Sequence, residues 1–302
     1  MQALTDWHDR LQPLMDLGWQ AAIAPPANLN GLTLAGRSPA IIEQTLPLLE
    51  WITHTYFQTQ TDGWEHVPAG QVLLIGSHNG GLGAPDTLAI TYEWLHQFGP
   101  ERPIYALMDT RMWQAMPVVA RLAAHLGAIR ATPRMARKAL ESGASLGIYP
   151  GGVKDVFRPY ALRHRICLNG HTGFIKLALE HKLPIVPMIS HGAHETLIVL
   201  ADIYEDLQAI AHGHFPWLLG IDPGAFPIYL GLPWGIAFGP LPNIPFPRPI
   251  HTRICPPIWF DRYGEDAVRD RAYVDQCYRQ VEQAMQAELD QLVAECVGEA
   301  CP

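Results

Sequence analysis

The sequence predicts an α/β protein with a mostly parallel central sheet that is flanked by helices. Short apolar runs that are typical of buried strands alternate along the chain with segments of helical spacing. Two of these runs, residues 72–75 and 145–149, end directly in glycine-rich turns, which are common at the carboxyl ends of strands in such sheets. We expect a helical segment before this core and a long amphipathic helix after it.

The elements follow one another in a regular order. Helical spacing predicts helices over 41–55, 87–98, 113–125, 133–143 and 172–181. Alternation predicts an edge strand over 57–61, and apolar runs predict strands over 103–107 and 183–189. An apolar stripe also precedes these elements, at Leu11, Leu14, Met15 and Trp19. The closing helix, 266–293, carries apolar residues at helical spacing: Val274, Cys277, Val281, Met285, Leu289 and Leu292.

The composition limits the classes of protein to which this sequence can belong. The 302 residues are 48% hydrophobic, which is enough for one large core, and the net charge of -8 argues against binding to nucleic acid. We expect one domain over 1–302, made of a helical segment (1–60), an α/β core (61–260) and the C-terminal helix (261–302). The amino terminus lacks the features of a signal peptide, which predicts a cytoplasmic protein. Five scattered cysteines predict reduced thiols: Cys167, Cys255, Cys277, Cys296 and Cys301.

One segment, residues 223–247, has no charged residue but contains seven prolines and four glycines. A helix that spans a lipid bilayer would not accommodate so many prolines. Its aromatic side chains fit a membrane surface or an apolar groove, and a buried strand with proline-rich loops fits equally well. Peripheral contact with the inner face of a membrane is therefore a hypothesis.

The first glycine-rich turn holds the main candidate for chemistry. His78 and Asp86 lie in the stretch 71–86, between the buried strand and the next helix. A neutral imidazole accepts a proton from a hydroxyl at neutral pH, and a carboxylate orients the ring and stabilises the imidazolium. The alternative is that His78 only borders the core and that Asp86 caps the helix.

The second glycine-rich turn, within residues 147–159, suggests an anion site. Gly151 and Gly152 let backbone N–H groups approach an anion or oxyanion closely. Cations then gather after the turn at Lys154, Arg158, Arg163 and Arg165. A basic cluster beside such a turn suits a phosphate or carboxylate group, whereas a solvated loop with surface cations is the alternative.

Three ordered blocks in this chain resemble the glycerolipid and lysophospholipid acyltransferases. They are SHNGGLGAPD from Ser77, HLGAIRATPRMARKALESGASLGIYPGGVKDVFRP from His125 and GFIKLALEHKLPIVPMISHG from Gly173. The motif Tyr-Pro-Gly-Gly-Val is similar to the branch of diacylglycerol-acyltransferase-like proteins. Compared with the usual family pattern, seven residues rather than four separate the histidine and the aspartate, and Gly151 and Lys154 replace a glutamate and an arginine.

This resemblance implies a glycerol-phosphate-acyltransferase-like fold and an O-acyltransferase. His78 would be the general base, Asp86 would orient it, and the hydroxyl of a glycerolipid, lysophospholipid or other hydrophobic alcohol would attack acyl-CoA or acyl-carrier protein. The acyl thioester is a co-substrate, and neither a cofactor nor a metal is implied. Substrate-binding residues implied by the resemblance or suggested by the two turns are Asn79, Gly80, Gly81, Pro150, Gly151, Gly152, Lys154 and Arg158. Arg130 is added because it lies near the usual arginine of the second block, although it is out of register with it, as is Arg134. The apolar region 215–246 would lie near the acyl chain.

Other interpretations use the same residues differently. An ester hydrolase or thioesterase would use water in the same site, and a lipid-binding protein without activity would keep only the fold. Gly143-x-Ser145-x-Gly147 matches the serine-hydrolase pattern, but here the strand follows the serine instead of preceding it. The remaining histidine groups lack metal-site spacing and are interpreted as loop or surface residues: His191 and His194 with Glu195, and His212 with His214.

Overall fold

The computed structural model describes residues 28–213, 215–217 and 220–298. Its strands are β1 (Gln60–Asp62), β2 (Leu73–Gly76), β3 (Ile104–Met108), β4 (Ala128–Arg130), β5 (Ser145–Ile148), β6 (Ile185–His191), β7 (Ile198–Asp202), β8 (Pro227–Gly231), β9 (Gly235–Phe238) and β10 (His251–Ile254). Its α-helices are α1 (Pro39–Glu50), α2 (Pro85–Phe98), α3 (Met112–Ala115), α4 (Pro117–His125), α5 (Pro133–Glu141), α6 (Gly152–Val156), α7 (Gly173–His181), α8 (Tyr204–Ile210), α9 (Glu265–Arg269) and α10 (Arg271–Gly298). A π-helix, Trp51–Tyr56, continues α1.

Seven strands form the central sheet, in the order β1-β10-β6-β2-β5-β3-β4. The five strands from β6 to β4 are mutually parallel, and β10 joins β6 in antiparallel orientation. The carboxyl ends of the five parallel strands therefore meet at one edge of the sheet. The predicted fold class, a mostly parallel sheet flanked by helices, is confirmed.

The sheet is covered on both faces, which explains why its central strand is apolar throughout. Successive side chains of a strand point to opposite faces. Leu73 accordingly belongs to a core cluster with α7 and α10, whereas Leu74 belongs to a second cluster with Trp94 of α2. All six apolar positions predicted for the closing helix are buried, including Val281 and Met285.

The sequence located most elements but missed others. The predicted helix 113–125 is two helices, because Pro117 begins a new one. The strands β4, β7, β8, β9 and β10 were not predicted. Cys167, Cys255 and Cys277 are free thiols, as expected. The predicted apolar stripe at 11–19, His214 and Cys301 lie outside the described residues.

A second sheet is formed by β7, β8 and β9 in antiparallel order. One face is buried, with Val199, Tyr229 and Ala237 in a cluster that also contains Phe157. The other face is apolar as well but exposed. Much of the segment 223–247 thus lies in strands, and no helix among the described residues is long and apolar enough to cross a membrane.

Candidate functional site

The first glycine-rich loop leaves β2 at Gly76 and enters α2 at Pro85. Gly80 and Gly81 have φ angles of +72° and +67°, a backbone conformation that glycine adopts without strain. A Cβ atom at Gly80 would lie 2.5 Å from Thr196 Oγ1, so the neighbouring segment leaves no room for a side chain. These glycines have a clear structural role, and their implied part in substrate binding stays a prediction.

His78 lies on this loop, at the carboxyl edge of the parallel strands. Its ring is partly exposed and stacks on the ring of Tyr149, with centroids 4.0 Å apart and planes 14° apart. Its Nδ1 is shielded from solvent and has no hydrogen-bond partner among the described residues. Burial lowers the pKa of His78 to about 3, and the charge of Arg158 acts in the same direction, whereas Asp109 opposes it. The imidazole is therefore neutral at neutral pH, which is the form that accepts a proton.

A buried ion pair holds the backbone of this loop. Asp155 is 0% exposed and Arg158 is 5% exposed, and their side chains form a salt bridge. The Asp155 carboxylate also accepts hydrogen bonds from Ser77 Oγ at 2.9 Å and from the backbone N–H of His78. Burial raises the pKa of Asp155, while Arg158 and Ser77 lower it. Because all of these neighbours are donors, this environment satisfies the ionised carboxylate.

The guanidinium of Arg158 is engaged inside the protein. Nη1 donates to the His78 carbonyl oxygen at 2.7 Å, and Nη2 donates to Asn79 Oδ1 at 2.7 Å. Nε donates to the Leu162 carbonyl oxygen at 3.2 Å. The sequence placed Arg158 among the substrate-binding residues, but the structure gives it a different position. It is buried and its donors are used by the loop, so it positions the site and is not free to bind a head group.

Asp86 lies in the first turn of α2 and is 2% exposed. Oδ1 accepts from the Thr87 backbone N–H at 2.8 Å, and Oδ2 accepts from Asn79 Nδ2 at 3.1 Å. None of the hydrogen bonds of the described residues joins Asp86 to His78. The expected direct contact is therefore not formed in this geometry, and the two residues are linked through Asn79, which follows His78 in the chain.

The environment of Asp86 nevertheless suits a titrating group. Burial raises the pKa of its carboxyl group to about 7, although the hydrogen bonds from Asn79 and Thr87 and the charge of Arg158 lower it. A carboxyl group that titrates near neutral pH and lies in the loop of a neutral histidine is typical of a functional site. The alternative that Asp86 caps the helix is wrong, because the N-cap is Ala84 and Asp86 lies inside the first turn, where its ionisation is perturbed.

The second glycine-rich turn needs its two glycines for different reasons. A Cβ atom at Gly151 would lie 2.0 Å from the Cys167 carbonyl oxygen, so close packing requires glycine. Gly152 has a φ of +60°, and a Cβ atom there would meet no other atom within 4 Å. The Pro150 carbonyl oxygen lies 2.7 Å from His171 Nδ1. This turn follows β5 directly and brings Asp155 beneath the first loop through α6.

The other predicted cations lie apart from the buried ion pair. Lys154 is half-exposed, and its Nζ lies 2.8 Å from Glu205 Oε1. Arg130 ends β4 at the far edge of the sheet, where its Nε donates to the Asn30 carbonyl oxygen at 2.8 Å. Its guanidinium also lies 5.5 Å from the ring centroid of Trp113. Because β5 and β3 separate β4 from β2, Arg130 and His78 are not brought together.

Sequence reasoning did not single out three side chains of this site. Tyr149 and Asp109 each follow the last residue of a parallel strand, β5 and β3 respectively. Position alone is the signal that would have identified them, since these strand ends meet at one edge. Asp155 lies on the short helix α6, and Arg158 follows two residues after the end of that helix, where its side chain reaches back to Asp155.

The structure argues against Ser145 as a nucleophile. Ser145 is the first residue of β5 and therefore lies at the amino edge of the parallel strands, opposite the edge that holds His78. Its side chain is buried, and its Oγ accepts a hydrogen bond from the Val72 backbone N–H at 3.2 Å. A nucleophile elbow requires the serine at the other end of the strand.

The histidines after β6 divide into two environments. His194 is buried, and its Nε2 donates to the Arg158 carbonyl oxygen at 2.9 Å, so it supports the loop. His191 and Glu195 instead lie near His164, a residue that the sequence analysis did not consider. The prediction of a loop or surface residue is therefore wrong for the exposure of His194, which is buried, whereas His191 and Glu195 are partly exposed.

The fold and the site define an α/β protein whose two functional loops lie at the carboxyl edge of a mostly parallel sheet. Residues 58–191, which contain both loops, match the family model described as Acyltransferase. This segment of the chain is therefore similar to the acyltransferase family. The resemblance that the sequence motifs indicated is confirmed at this level.

Similar proteins are known from mycobacteria. The chain is 29% identical over 196 residues to the uncharacterized protein Rv0502 of Mycobacterium tuberculosis, which covers 64% of this chain and 54% of that protein. It is 28% identical over 200 residues to the uncharacterized protein ML2427 of Mycobacterium leprae, which covers 64% and 53% respectively. The chain thus spans about half the length of the curated relatives it matches.

A solved structure is also similar to this chain. It is the 1-acyl-sn-glycerophosphate (LPA) acyltransferase PlsC from Thermotoga maritima, with a TM-score of 0.49 and 13% sequence identity. The superposition covers 83% of this chain and 81% of that chain.

The buried ion pair generates a first prediction. Arg158→Met leaves the Asp155 carboxylate buried and unpaired, and we expect it to lower the free energy of unfolding by about 3–5 kcal/mol. Adding Asp155→Asn removes that charge, so the double variant should be less destabilised than the sum of the two single variants. Urea unfolding followed by tryptophan fluorescence measures the stability of all three variants.

The matched control is Lys154→Met, which breaks the exposed pair with Glu205 and should lower the free energy of unfolding by about 1 kcal/mol or less. If Arg158→Met and Lys154→Met lowered the free energy of unfolding equally, the buried pair would not have the structural role assigned to it.

The raised pKa of Asp86 generates a second prediction. The folded protein retains this proton up to about pH 7, whereas the unfolded chain releases it near pH 4. The contribution of Asp86 to stability is therefore present at acidic pH and is lost as the pH rises through 7. Asp86→Asn cannot ionise, so its stability relative to the wild type should improve steadily between pH 4 and pH 8.

Urea unfolding of both proteins at several pH values measures this difference, in which titrating groups common to both proteins cancel. The control is Asp261→Asn, which removes an exposed carboxylate and should show no such trend. A stability difference that does not change with pH would show that Asp86 ionises equally in the folded and unfolded states.

Proposed function

We propose that this protein is an O-acyltransferase in which His78 is the general base. The observation that carries the proposal is a neutral, partly exposed histidine on a glycine-rich loop at the carboxyl edge of the sheet, inside the Acyltransferase-family segment. The proposed acyl donor is a thioester, acyl-CoA or acyl-carrier protein. The proposed acceptor is the hydroxyl of a glycerolipid, lysophospholipid or other hydrophobic alcohol.

The reaction needs only a base at the position of His78. The imidazole takes the proton of the acceptor hydroxyl, and the oxygen attacks the thioester carbonyl carbon. A carbon–oxygen bond forms and the carbon–sulfur bond breaks, and the leaving thiolate takes the proton back from the imidazolium. The products are an ester and a free thiol, and no external oxidant or reductant is required.

Two features of the loop support this role. The position of the imidazole is fixed in two ways. Its ring stacks on Tyr149, and the His78 backbone hydrogen-bonds to the Asp155–Arg158 pair. A fixed position lowers the entropic cost of reaching a reactive geometry. The shielded Nδ1 faces no acceptor in this geometry, so an imidazolium would need a carboxylate near it. Asp86 is the proposed orienting group, because it ionises near neutral pH and is connected to the loop through Asn79.

A third prediction tests the base. His78→Ala should reduce acceptor-dependent thiol release from a long-chain acyl thioester by about 10²- to 10⁴-fold, because general-base catalysis is lost. Thiol release is followed with a chromogenic thiol reagent, and the ester product is identified by mass spectrometry. His96→Asn, which changes an exposed histidine on α2, is the matched control and should retain full activity.

The outcomes separate the alternatives that the sequence left open. Thiol release that needs no alcohol would identify a hydrolase or thioesterase. No release from either donor would favour a lipid-binding protein without activity. Acceptor-dependent activity that survives His78→Ala would show that another group is the base.

We further propose that the outer face of the second sheet contacts lipid. An antiparallel sheet with one solvated face normally alternates apolar and polar side chains, but here the exposed face is apolar too. Ile236 is 65% exposed and Phe238 is 58% exposed, and in register they lie opposite Leu230 and Ile228. The buried face of the same sheet packs on Phe157 of the second turn, so this lipid surface adjoins the site.

A fourth prediction tests this surface. The wild-type protein should float with vesicles of phosphatidylcholine and phosphatidylglycerol in a density gradient. Ile236→Ser with Phe238→Ser should weaken this association by about 10-fold or more, because each side chain loses at least about 1.5 kcal/mol of apolar burial. Leu32→Ser, an exposed leucine elsewhere in the chain, is the control. Wild-type protein that stays at the bottom of the gradient would remove the proposed membrane contact.

A further inference from the structure

Three metal-ligating side chains that are distant in sequence meet beside the end of β6. His191 is the last residue of β6, Glu195 lies in the 3-10 helix that follows, and His164 lies in the loop after α6. One ligating atom from each lies within 4.8 Å of those from the other two. His164 Nε2 is 3.6 Å from Glu195 Oε1, and the two imidazole centroids are 5.5 Å apart.

One of these atoms lacks a partner. His164 Nε2 is shielded from solvent and has no hydrogen-bond partner among the described residues. A buried polar atom without a partner carries a desolvation cost unless a ligand, an ion or a water satisfies it. A metal ion bound between the three side chains would satisfy this nitrogen.

We propose that His164, His191 and Glu195 bind a divalent transition-metal ion, with zinc as the best fit. Two imidazoles and one carboxylate are a donor set that zinc accepts, with water at a fourth position. Zinc binds nitrogen and oxygen at about 2.0–2.2 Å, so tetrahedral ligand atoms lie roughly 3.4 Å apart. The separation of 3.6 Å between His164 and Glu195 is close to this distance, and the wider separations require side-chain shifts of about 1 Å.

The surrounding charges are compatible with the site. The charged and titratable groups that face His191 are Glu195, His164, His251 and Arg163. The carboxylate of Glu195 is the anionic member of this group and offsets the charge of a bound cation. His251 pairs with His191 in register but is engaged elsewhere, since its Nε2 lies 2.8 Å from an oxygen of a carboxylate on β1.

Arg163 is the competing cation at this site. Its Nε lies 3.5 Å from Glu195 Oε1, a position that a metal would take over. The guanidinium has other partners to turn to, because Nη1 donates to the Tyr160 carbonyl oxygen at 3.2 Å and Cζ lies 4.4 Å from the Tyr160 ring centroid. Metal binding would therefore replace the Arg163 guanidinium by a metal ion, which is a stronger partner for the Glu195 carboxylate.

The position of the site indicates a structural role. Its ligands join the loop after Arg158 to the segment that contains His194, whose Nε2 donates to the Arg158 carbonyl oxygen. A metal would hold these two segments together and so support the residue on which the loop of His78 depends. This role is independent of the proposed acyl transfer.

Zinc titration of the full chain tests the proposal. After treatment with a chelator and its removal, isothermal titration with Zn²⁺ alone should show one equivalent bound, and thermal unfolding should move to higher temperature in the presence of Zn²⁺. His191→Gln and Glu195→Gln should each weaken zinc binding by more than about 10-fold, the least expected for loss of a ligand. His96→Asn, the exposed histidine, should bind zinc as the wild type does.

A variant that strengthens binding keeps the test decisive if the ligand variants fail to fold. Arg163→Ala removes the competing cation and should bind zinc more tightly than the wild type. Cobalt substituted into the wild-type protein should show the intense visible bands of a tetrahedral site. Zinc binding that is absent in the wild type, or unchanged in the folded ligand variants and in Arg163→Ala, would overturn the proposal.

Discussion

The buried salt bridge between Asp155 and Arg158 is the constraint on which the site depends. Asp155 comes from the second glycine-rich turn, and its carboxylate accepts from the first loop at Ser77 and at the His78 backbone. Arg158 donates back to the first loop at the His78 carbonyl oxygen and at Asn79. Two loops whose hydrogen-bonded residues, such as Ser77 and Asp155, are 78 positions apart in sequence are thereby joined into one rigid unit. Removing two charges from water is costly, so this arrangement serves to fix a conformation more than to increase stability.

The consequences for His78 follow from that constraint. Its backbone is held on both sides, by an N–H that donates to Asp155 and a carbonyl that accepts from Arg158, while its ring rests on Tyr149. Gly76 permits this stacking, because a Cβ atom there would lie 2.6 Å from the Tyr149 ring. The positive charge of Arg158 also favours the neutral imidazole. Thus the same guanidinium positions the proposed base and adds to the effect of burial, which is the main reason that the imidazole is neutral.

The sequence revealed the parts of this protein that depend on local pattern. The central strands, most of the helices and both glycine-rich turns follow from apolar runs, helical spacing and turn residues, which are visible in a single chain. The strands β7 and β10 were missed because they pair with segments distant in sequence, and the β8–β9 hairpin was missed because proline and glycine interrupt its pattern.

The side-chain environments were harder to predict for a related reason. In the sequence, a cation after a glycine turn suggests a residue that binds substrate. Only the structure shows that Arg158 is buried and that its hydrogen bonds are made within the protein. His164 and Glu195 are 31 positions apart, and no spacing rule connects them. The parallel sheet brings such residues together, so the positions of strand ends carry information that short motifs do not.

Several independent features converge on the short segment that holds Arg158. Phe157, its neighbour, is fully buried in the core beneath the second sheet, whose outer face is apolar. The Arg158 carbonyl accepts from His194, and the cluster of His164, His191 and Glu195 joins the segments on either side of that hydrogen bond. We therefore expect a change at the outer face of the second sheet or at this cluster to reach His78 through Phe157 and Arg158. The proposed base thus depends on a buried charge, Arg158, which contacts the backbone of His78 and not its imidazole ring.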